Sequence, residues 1–312
     1  MRCRPLLLGH VGALRAIAAE CRIAVELAPA ADAEAGFAQA PDAPVPVLEL
    51  ECVQPGDPPG KPAAAFGFAA VEAVLRGGEL CLRERADLLL TPPIHKESMH
   101  MARYPYEGQT EILGQLCGSR RYGMLACNGA LRVLVATRHE ALRDALARLD
   151  VAMVAKQIRI AHEAARELLA IEAPRIVLAG LNPHAGEGGA FGDEERRILE
   201  PAIRSAGEQW NFETAGPAVP DVVFREGLDG RWDVVIALYH DQAFLPLKML
   251  PRETGFTLFV GGAILRISPT HGAAYDIARS GKADLAPLRH AFDRGLELAE
   301  RRATAAAGGG AT

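Results

Sequence analysis

The chain has 312 residues, 49% of them hydrophobic and 23% charged, and a formal net charge of -5. That length supports a large buried core, as one broad α/β domain or two lobes. The acidic balance, with Lys and Arg scattered, excludes nucleic acid as the main partner. No stretch has the roughly 18 uninterrupted apolar residues of a membrane span. Cys3, Cys21, Cys52, Cys81, Cys117 and Cys127 form no C-x-x-C pair, so free thiols in the cytoplasm are expected.

Along the chain, short aliphatic runs alternate with helical periodicity. The runs predict strands over Pro5–Leu8, Arg22–Leu27, Val47–Cys52, Ala86–Leu90, Met124–Cys127, Leu131–Ala136, Arg175–Ala179, Trp232–Leu238 and Phe256–Val260. Leu6-Leu-Leu8 is too short for a signal segment and starts the fold directly. Runs such as Asp233-Val-Val-Ile-Ala-Leu238 suit strands covered on both faces of a mostly parallel sheet. Apolar residues at i, i+3 and i+4 predict helices over Ala63–Arg85, Ala141–Leu149, Val151–Ala170 and Leu285–Arg302. Residues 28–46, rich in Ala, Pro and Asp, read as an irregular excursion. The Ala/Gly tail, residues 303–312, reads as disordered. The expected division is lobe one over 1–136, with a possible return of the C-terminal part, and lobe two over 137–302.

Four polar segments follow apolar strands, where ligands bind in open α/β sheets. Thr91-Pro-Pro-Ile-His-Lys96 leads to Gly108-Gln-Thr-Glu111, in which Gln109 and Thr110 either donate to an anion or open a helix. Leu181-Asn-Pro-His-Ala-Gly-Glu187 carries His184, as ligand, base or turn residue. The glycines that follow lack the G-x-G-x-x-G spacing, so a Rossmann dinucleotide loop is rejected. Tyr239-His-Asp-Gln242 places His240 and Asp241 at one strand tip, with Lys248 eight residues on. Leu265-Arg-Ile-Ser-Pro-Thr-His-Gly272 offers Arg266 as an anion fork. Its His271 and Gly272 open a predicted helix whose N-terminus favours anions. Both readings, site and surface turn, stay open for this segment. His139, alone after its strand, fits a capping histidine as well as a ligand. Spacing by itself assembles no metal site from His139, His184 and His240.

Taken together, these segments resemble the 4-hydroxythreonine-4-phosphate dehydrogenase family of pyridoxal phosphate biosynthesis and its paralogues, over about residues 63 to 296. The resemblance implies a fold like that of isopropylmalate and isocitrate dehydrogenases. That fold is two lobes around a twisted, mostly parallel α/β sheet, with the active site in the interlobe cleft at a homodimer interface. It implies a divalent cation (Zn, Mg, Mn or Co) held by His139, His184 and His240, with ligands drawn from both subunits. It also implies oxidation of a secondary alcohol on a small anionic substrate by NAD or NADP, followed by decarboxylation. Lys248, Asp221 and Asp241 are then the candidates for proton handling. Gln109, Thr110, Lys248, Thr257 and Arg266 match substrate-holding positions, and His271, Gly272 and Asp276 match dinucleotide-holding ones.

The chain also departs from that pattern. It lacks the opening Gly-Asp-Pro-x-Gly-Ile-Gly-Pro-Glu segment, and a misassigned start is the expected cause, because loss of a strand exposes apolar surface and unpaired backbone. Gln109 stands where the family has His, His95 and Thr257 where it has Asn, and Gly261-Gly262 replaces Gly-Leu. These changes cluster at the expected substrate pocket and spare the three histidines. The alternatives are therefore a paralogue for erythronate or threonate 4-phosphate, one for an aromatic cis-dihydrodiol carboxylate, or an inactive ligand-binding relative.

Overall fold

The computed structural model describes residues 3–50 and 60–308. Cys52, and with it the end of the strand predicted over Val47–Cys52, lies outside the described residues. The chain divides into two compact units, Met1–Gly118 with Ala263–Ala299, and Ser119–Gly262 with Glu300–Thr312. The expected lobes changed over at residue 136. The observed division lies earlier because the hairpin after Gly118 pairs with later strands of the second unit.

The strands are β1 (Leu7–Gly9), β2 (Leu27–Ala30), β3 (Val45–Glu49), β4 (Leu89–Leu90), β5 (Gly123–Asn128), β6 (Leu131–Val135), β7 (Ile176–Ala179), β8 (Thr214–Ala218), β9 (Val234–Ala237), β10 (Gly255–Val260) and β11 (Arg266–Pro269). In the first unit β1, β3 and β2 form a parallel sheet in that order. There β4 and β11 pair in parallel, with Arg266 beside Leu89. In the second unit the order is β10-β5-β6-β9-β7-β8. The β10–β5 and β5–β6 pairs are antiparallel, and the remaining three pairs are parallel. The architecture is α/β, as the alternation of aliphatic runs and amphipathic helices predicts.

Burial explains why the central strands read as unbroken aliphatic runs. Every residue of β7 and β9 is buried. Val133, Val135, Val177, Val235 and Ala237 share one cluster with Phe224, Phe244 and Leu247 of the helices Pro220–Leu228 and His240–Lys248. Side chains alternate across a strand, so Leu134, Leu178 and Ile236 face the other way. The helix Val151–Glu167 packs against β5, β7 and β9. Its His162 is a core residue and not a ligand. It stacks on Phe212 at 4.4 Å and bonds Thr214 Oγ1 at 3.0 Å, and burial pulls its pKa down to about 4.

Several sequence expectations shift. The excursion over residues 28–46 holds β2, the start of β3 and the helix Ala33–Phe37, whose N-terminus Asp32 caps through Ala35 N at 2.8 Å. The strand expected over Arg22–Leu27 forms later, at Leu27–Ala30, because Arg22 takes a left-handed turn (φ 55°) after the helix Val11–Glu20. The tail expected to be disordered continues the helix Ala286–Gly308, as its alanines favour; residues 309–312 lie outside the described ones. The described cysteines, Cys3, Cys21, Cys81, Cys117 and Cys127, are free thiols. No helix among the described residues is long and apolar enough to cross a membrane.

Within the first unit, the helix Ala64–Leu82 lies against Lys96–Met101 at Gly67, where an added Cβ would stand 1.9 Å from the Ser98 carbonyl oxygen. Gly to Ala in a helix interior ordinarily stabilises by up to about 1 kcal/mol. Here Gly67→Ala forces two backbones apart. It is expected to destabilise by about 1–3 kcal/mol, read as a lowered denaturant midpoint; an unchanged or raised midpoint would contradict the close approach.

Candidate functional site

Three neighbouring parallel strands of the second unit, β6, β9 and β7, each end in a segment bearing one of the singled-out histidines. His139 follows β6, His240 follows β9 and His184 follows β7. The tips are joined by more than ladder bonds. The Leu238 carbonyl accepts from Thr137 N at 3.2 Å and from Thr137 Oγ1 at 2.8 Å. The Leu238 N–H donates to Gln242 Oε1 at 2.7 Å, and Gln242 Nε2 donates to the Gly180 carbonyl at 2.8 Å. Thr137 and Gln242, both buried, thus tie the β6 and β7 tips to the β9 tip. Sequence reading assigned a role to neither. Gln242 lay inside a quoted motif, but its amide was not recognised as a strut.

The His139 and His240 rings lie 5.4 Å apart, centroid to centroid. That separation suits two imidazoles around one cation at about 2.0–2.1 Å from each nitrogen. His240 Nδ1 donates to Asp241 Oδ1 at 2.7 Å, because a carboxylate only accepts; in the neutral ring Nε2 is then the nitrogen with the lone pair. Asp241 therefore orients His240. His240 is the first residue of a helix, not of a loop. It stacks on Phe244 one turn on, at 4.5 Å, and Lys248 Nζ sits 5.7 Å over that ring. Pro246 inside the helix hid it from sequence reading.

His184 stands apart from this pair. Among the described residues no group of three His, Cys, Asp or Glu side chains is placed to hold one metal ion. The segment Pro183–Gly189 winds left-handed, with positive φ from His184 (52°) through Gly188 (65°). Its entry is clamped by Glu195, a buried carboxylate missed from sequence. Glu195 accepts from Leu181 N at 2.8 Å, Asn182 N at 2.7 Å and Asn182 Nδ2 at 2.9 Å. Asn182 also donates to Glu194, and that bond holds the Glu194 carboxyl below its ordinary pKa. An open cavity of about 440 Å3 lies here, lined by Leu142, Leu181, Asn182, Arg197 and Tyr239 among others. Asp221 is exposed in the first turn of Pro220–Leu228. Thr257 is buried on β10.

In the first unit, Arg266 lies on β11 and is buried, not on a surface turn. Its Nε donates to Thr91 Oγ1 at 2.8 Å and its Nη2 to Gln109 Oε1 at 2.9 Å. Burial lowers the guanidinium pKa to about 9, countered by the charge of Glu111. Gln109 and Thr110, both buried, open the helix Gln109–Leu116, with Gly108 as its N-cap. Thr91, which follows β4, is the partner that sequence reading overlooked.

The helix expected to open at His271 and Gly272 is absent. Those residues are exposed in an irregular segment ahead of the short turn Tyr275–Ile277, and His271 Nδ1 donates to the Gly272 carbonyl at 2.9 Å. The chain uses a left-handed Ala274 (φ 50°) instead of a helical start. The donor set that a helix N-terminus would offer a pyrophosphate is not built here. Asp276 is exposed within the turn Tyr275–Ile277.

Residues 1–294 match the family model described as pyridoxal phosphate biosynthetic protein PdxA. The chain is 41% identical over 239 residues to a 4-hydroxythreonine-4-phosphate dehydrogenase of Beijerinckia indica, covering 77% of this chain and 70% of that protein. It is 40% identical over 240 residues to a D-threonate 4-phosphate dehydrogenase of Salmonella typhimurium, covering 77% of this chain and 73% of that protein. The fold is similar to a solved 4-hydroxythreonine-4-phosphate dehydrogenase of Klebsiella pneumoniae, with a TM-score of 0.82 and 33% identity over 94% of this chain and 90% of that one.

If Gln242 is the strut between tips, Gln242→Leu leaves the Leu238 N–H and Gly180 carbonyl unsatisfied. The expected loss is about 1–3 kcal/mol of stability, with faster hydrogen exchange at the Leu238 amide. Wild-type exchange at that amide would show that the tips hold together without it.

Proposed function

Because the chain belongs to the pyridoxal phosphate biosynthetic protein PdxA family, we propose that it is an oxidoreductase for a secondary alcohol on a small phosphorylated acid. The leading substrate is of the 4-hydroxythreonine 4-phosphate type, with D-threonate or erythronate 4-phosphate as the alternative. The observation that carries this reading is the His139–His240 pair at 5.4 Å, with His240 oriented by Asp241. A divalent cation bound there would supply Lewis acidity toward the substrate hydroxyl. NAD would be the hydride acceptor, with Asp276 and His271 at its sugar.

Each residue has a role on this reading. His139 and His240 hold the cation from one copy, and His184 supplies the third imidazole across a homodimer interface. Exposed apolar side chains on the helices that follow the histidines support such an interface: Leu142, Leu146, Leu245 and Met249, the last 87% exposed. Arg266 holds the phosphate through a buried, charged fork. Thr110 and Thr257 line the substrate. Lys248 or Asp221 takes the hydroxyl proton, and Lys248 returns a proton to carbon if CO2 leaves.

Purified protein with divalent cation and NAD, offered the three phosphorylated acids and an aromatic cis-dihydrodiol carboxylate, tests the reading. Reduced nicotinamide is expected to form with one phosphorylated acid. His240→Ala is expected to lose both bound cation and turnover, since two imidazoles hold a divalent ion poorly. Near-normal metal content in that variant refutes the ligand assignment. Cation binding with no reduction of NAD by any of the four points instead to an inactive relative.

A further inference from the structure

Arg266 presents a physical problem within the first unit. Its guanidinium is buried at 4% exposure, and a buried cation needs acceptors at its donors. Two of the acceptors are neutral oxygens, Thr91 Oγ1 on Nε at 2.8 Å and Gln109 Oε1 on Nη2 at 2.9 Å. Both acceptors are themselves held in place. The Thr91 N–H donates to the Ile267 carbonyl at 3.1 Å, so the β4–β11 register fixes Thr91 one residue from the arginine's own strand position. The Gln109 amide is pinned at its other end, where Nε2 donates to the Pro92 carbonyl at 2.9 Å.

This second bond decides which way the carboxamide points. Turning it over would set its NH2 against the guanidinium and its oxygen against a carbonyl, two repulsive contacts in place of two bonds. Gln109 therefore presents oxygen to Arg266, and one amide hydrogen is committed to Pro92. Its geometry is that of a side chain working on the arginine. A carboxamide also orients a guanidinium without cancelling its charge, which a carboxylate in the same place would do.

We propose that Gln109, together with Thr91, is a positioning residue that aims Arg266 at the substrate's phosphate and leaves its positive charge available. The proposal rests on the reading of Arg266 as the phosphate fork. It differs from that reading in denying Gln109 a direct hold on the anion. The expected substrate group is a phosphate monoester, which the buried guanidinium attracts by its charge even though the Glu111 carboxylate also bears on it.

The test uses the full-length protein and inorganic phosphate as probe, measured both by calorimetric binding and as an inhibitor competing with the best phosphorylated substrate. Gln109→Leu and Thr91→Val are each expected to weaken phosphate binding, and to raise KM, by about tenfold, with kcat changed less than about threefold. Gln109→Glu is expected to weaken it by about a hundredfold, because its carboxylate pairs with Arg266. In an Arg266→Lys background, which lacks the fork, Gln109→Leu is expected to add less than about twofold, the non-additivity of residues acting as one unit.

Two results overturn the proposal separately from its premise. If Gln109→Leu keeps its full tenfold effect in the Arg266→Lys background, Gln109 touches the anion itself. If Gln109→Glu binds phosphate as well as Gln109→Leu, charge is not what the carboxamide preserves. If Arg266→Lys alone leaves phosphate affinity unchanged, the phosphate fork is elsewhere and the premise falls with the proposal. Thermal midpoints of all variants separate loss of fold from loss of binding, and the isosteric Thr91→Val carries the test should Gln109 variants not fold.

Discussion

The backbone of one residue, Leu238, organises the histidine-bearing edge of the second unit. The Leu238 carbonyl takes two bonds from Thr137, and the Leu238 N–H is taken by Gln242, whose other end reaches Gly180. Parallel strands alone bring three carboxyl ends to one edge, but their ladder bonds stop where the strands stop. The tips beyond are loops and helix starts that need their own restraints. Here the restraint is buried, so breaking any one bond leaves a desolvated donor or acceptor, and each such group costs about 1–3 kcal/mol. This lacing restrains the backbones from which His139 and His240 start.

The two sets of polar residues obey opposite electrostatic rules. Arg266 is sealed in, so its charge is weakly screened, and burial drags its pKa to about 9, still cationic at neutral pH. Two of its partners, Thr91 and Gln109, are polar and neutral, and the Glu111 charge also bears on it. His240 and Asp241 are at the surface, where water screens the pair and where a ligand can enter. A buried cation suits an anion that must be held tightly. A partly exposed imidazole suits an ion that must bind and leave open positions. Unit one holds a group of the first kind and unit two a group of the second.

The α/β class was legible because burial on both faces leaves a direct mark, the aliphatic runs at Arg175–Ala179 and Asp233–Leu238. What was not legible follows equally from physics. Strand β8, Thr-Ala-Gly-Pro-Ala, is an edge strand with little apolar content, so it carries no run. Strand β11 was read as a loop because Arg, Ser and Pro look solvated, and a buried arginine is visible only once its partners are placed. The helix His240–Lys248 was masked by its interior proline. Glu195 lies in a polar run, and nothing local distinguishes a carboxylate that caps a distant loop from one facing water. The histidines were found through motifs and a family resemblance. The adjacency of the strands that carry them came from strand order, which no spacing along the chain encodes.

The segment around His184 shows why order and strain belong together. His184, Ala185 and Glu187 all hold left-handed backbone angles, a conformation that disfavours each non-glycine residue by about 1–2 kcal/mol. A loop free to relax would leave that region. Glu195 prevents it by binding two successive backbone N–H groups and the Asn182 amide at the entry to the turn. A strained turn held this firmly is a means of fixing where a side chain starts, and strain of this kind concentrates at ligand-binding segments. The His184 ring has Phe191 beside it, centroids 6.3 Å apart. A firmly held turn that carries an imidazole is what the proposed reading requires of a ligand offered to a second copy. On that reading, the backbone of this loop, more than the identity of the residue, is what fits His184 to the role of third ligand.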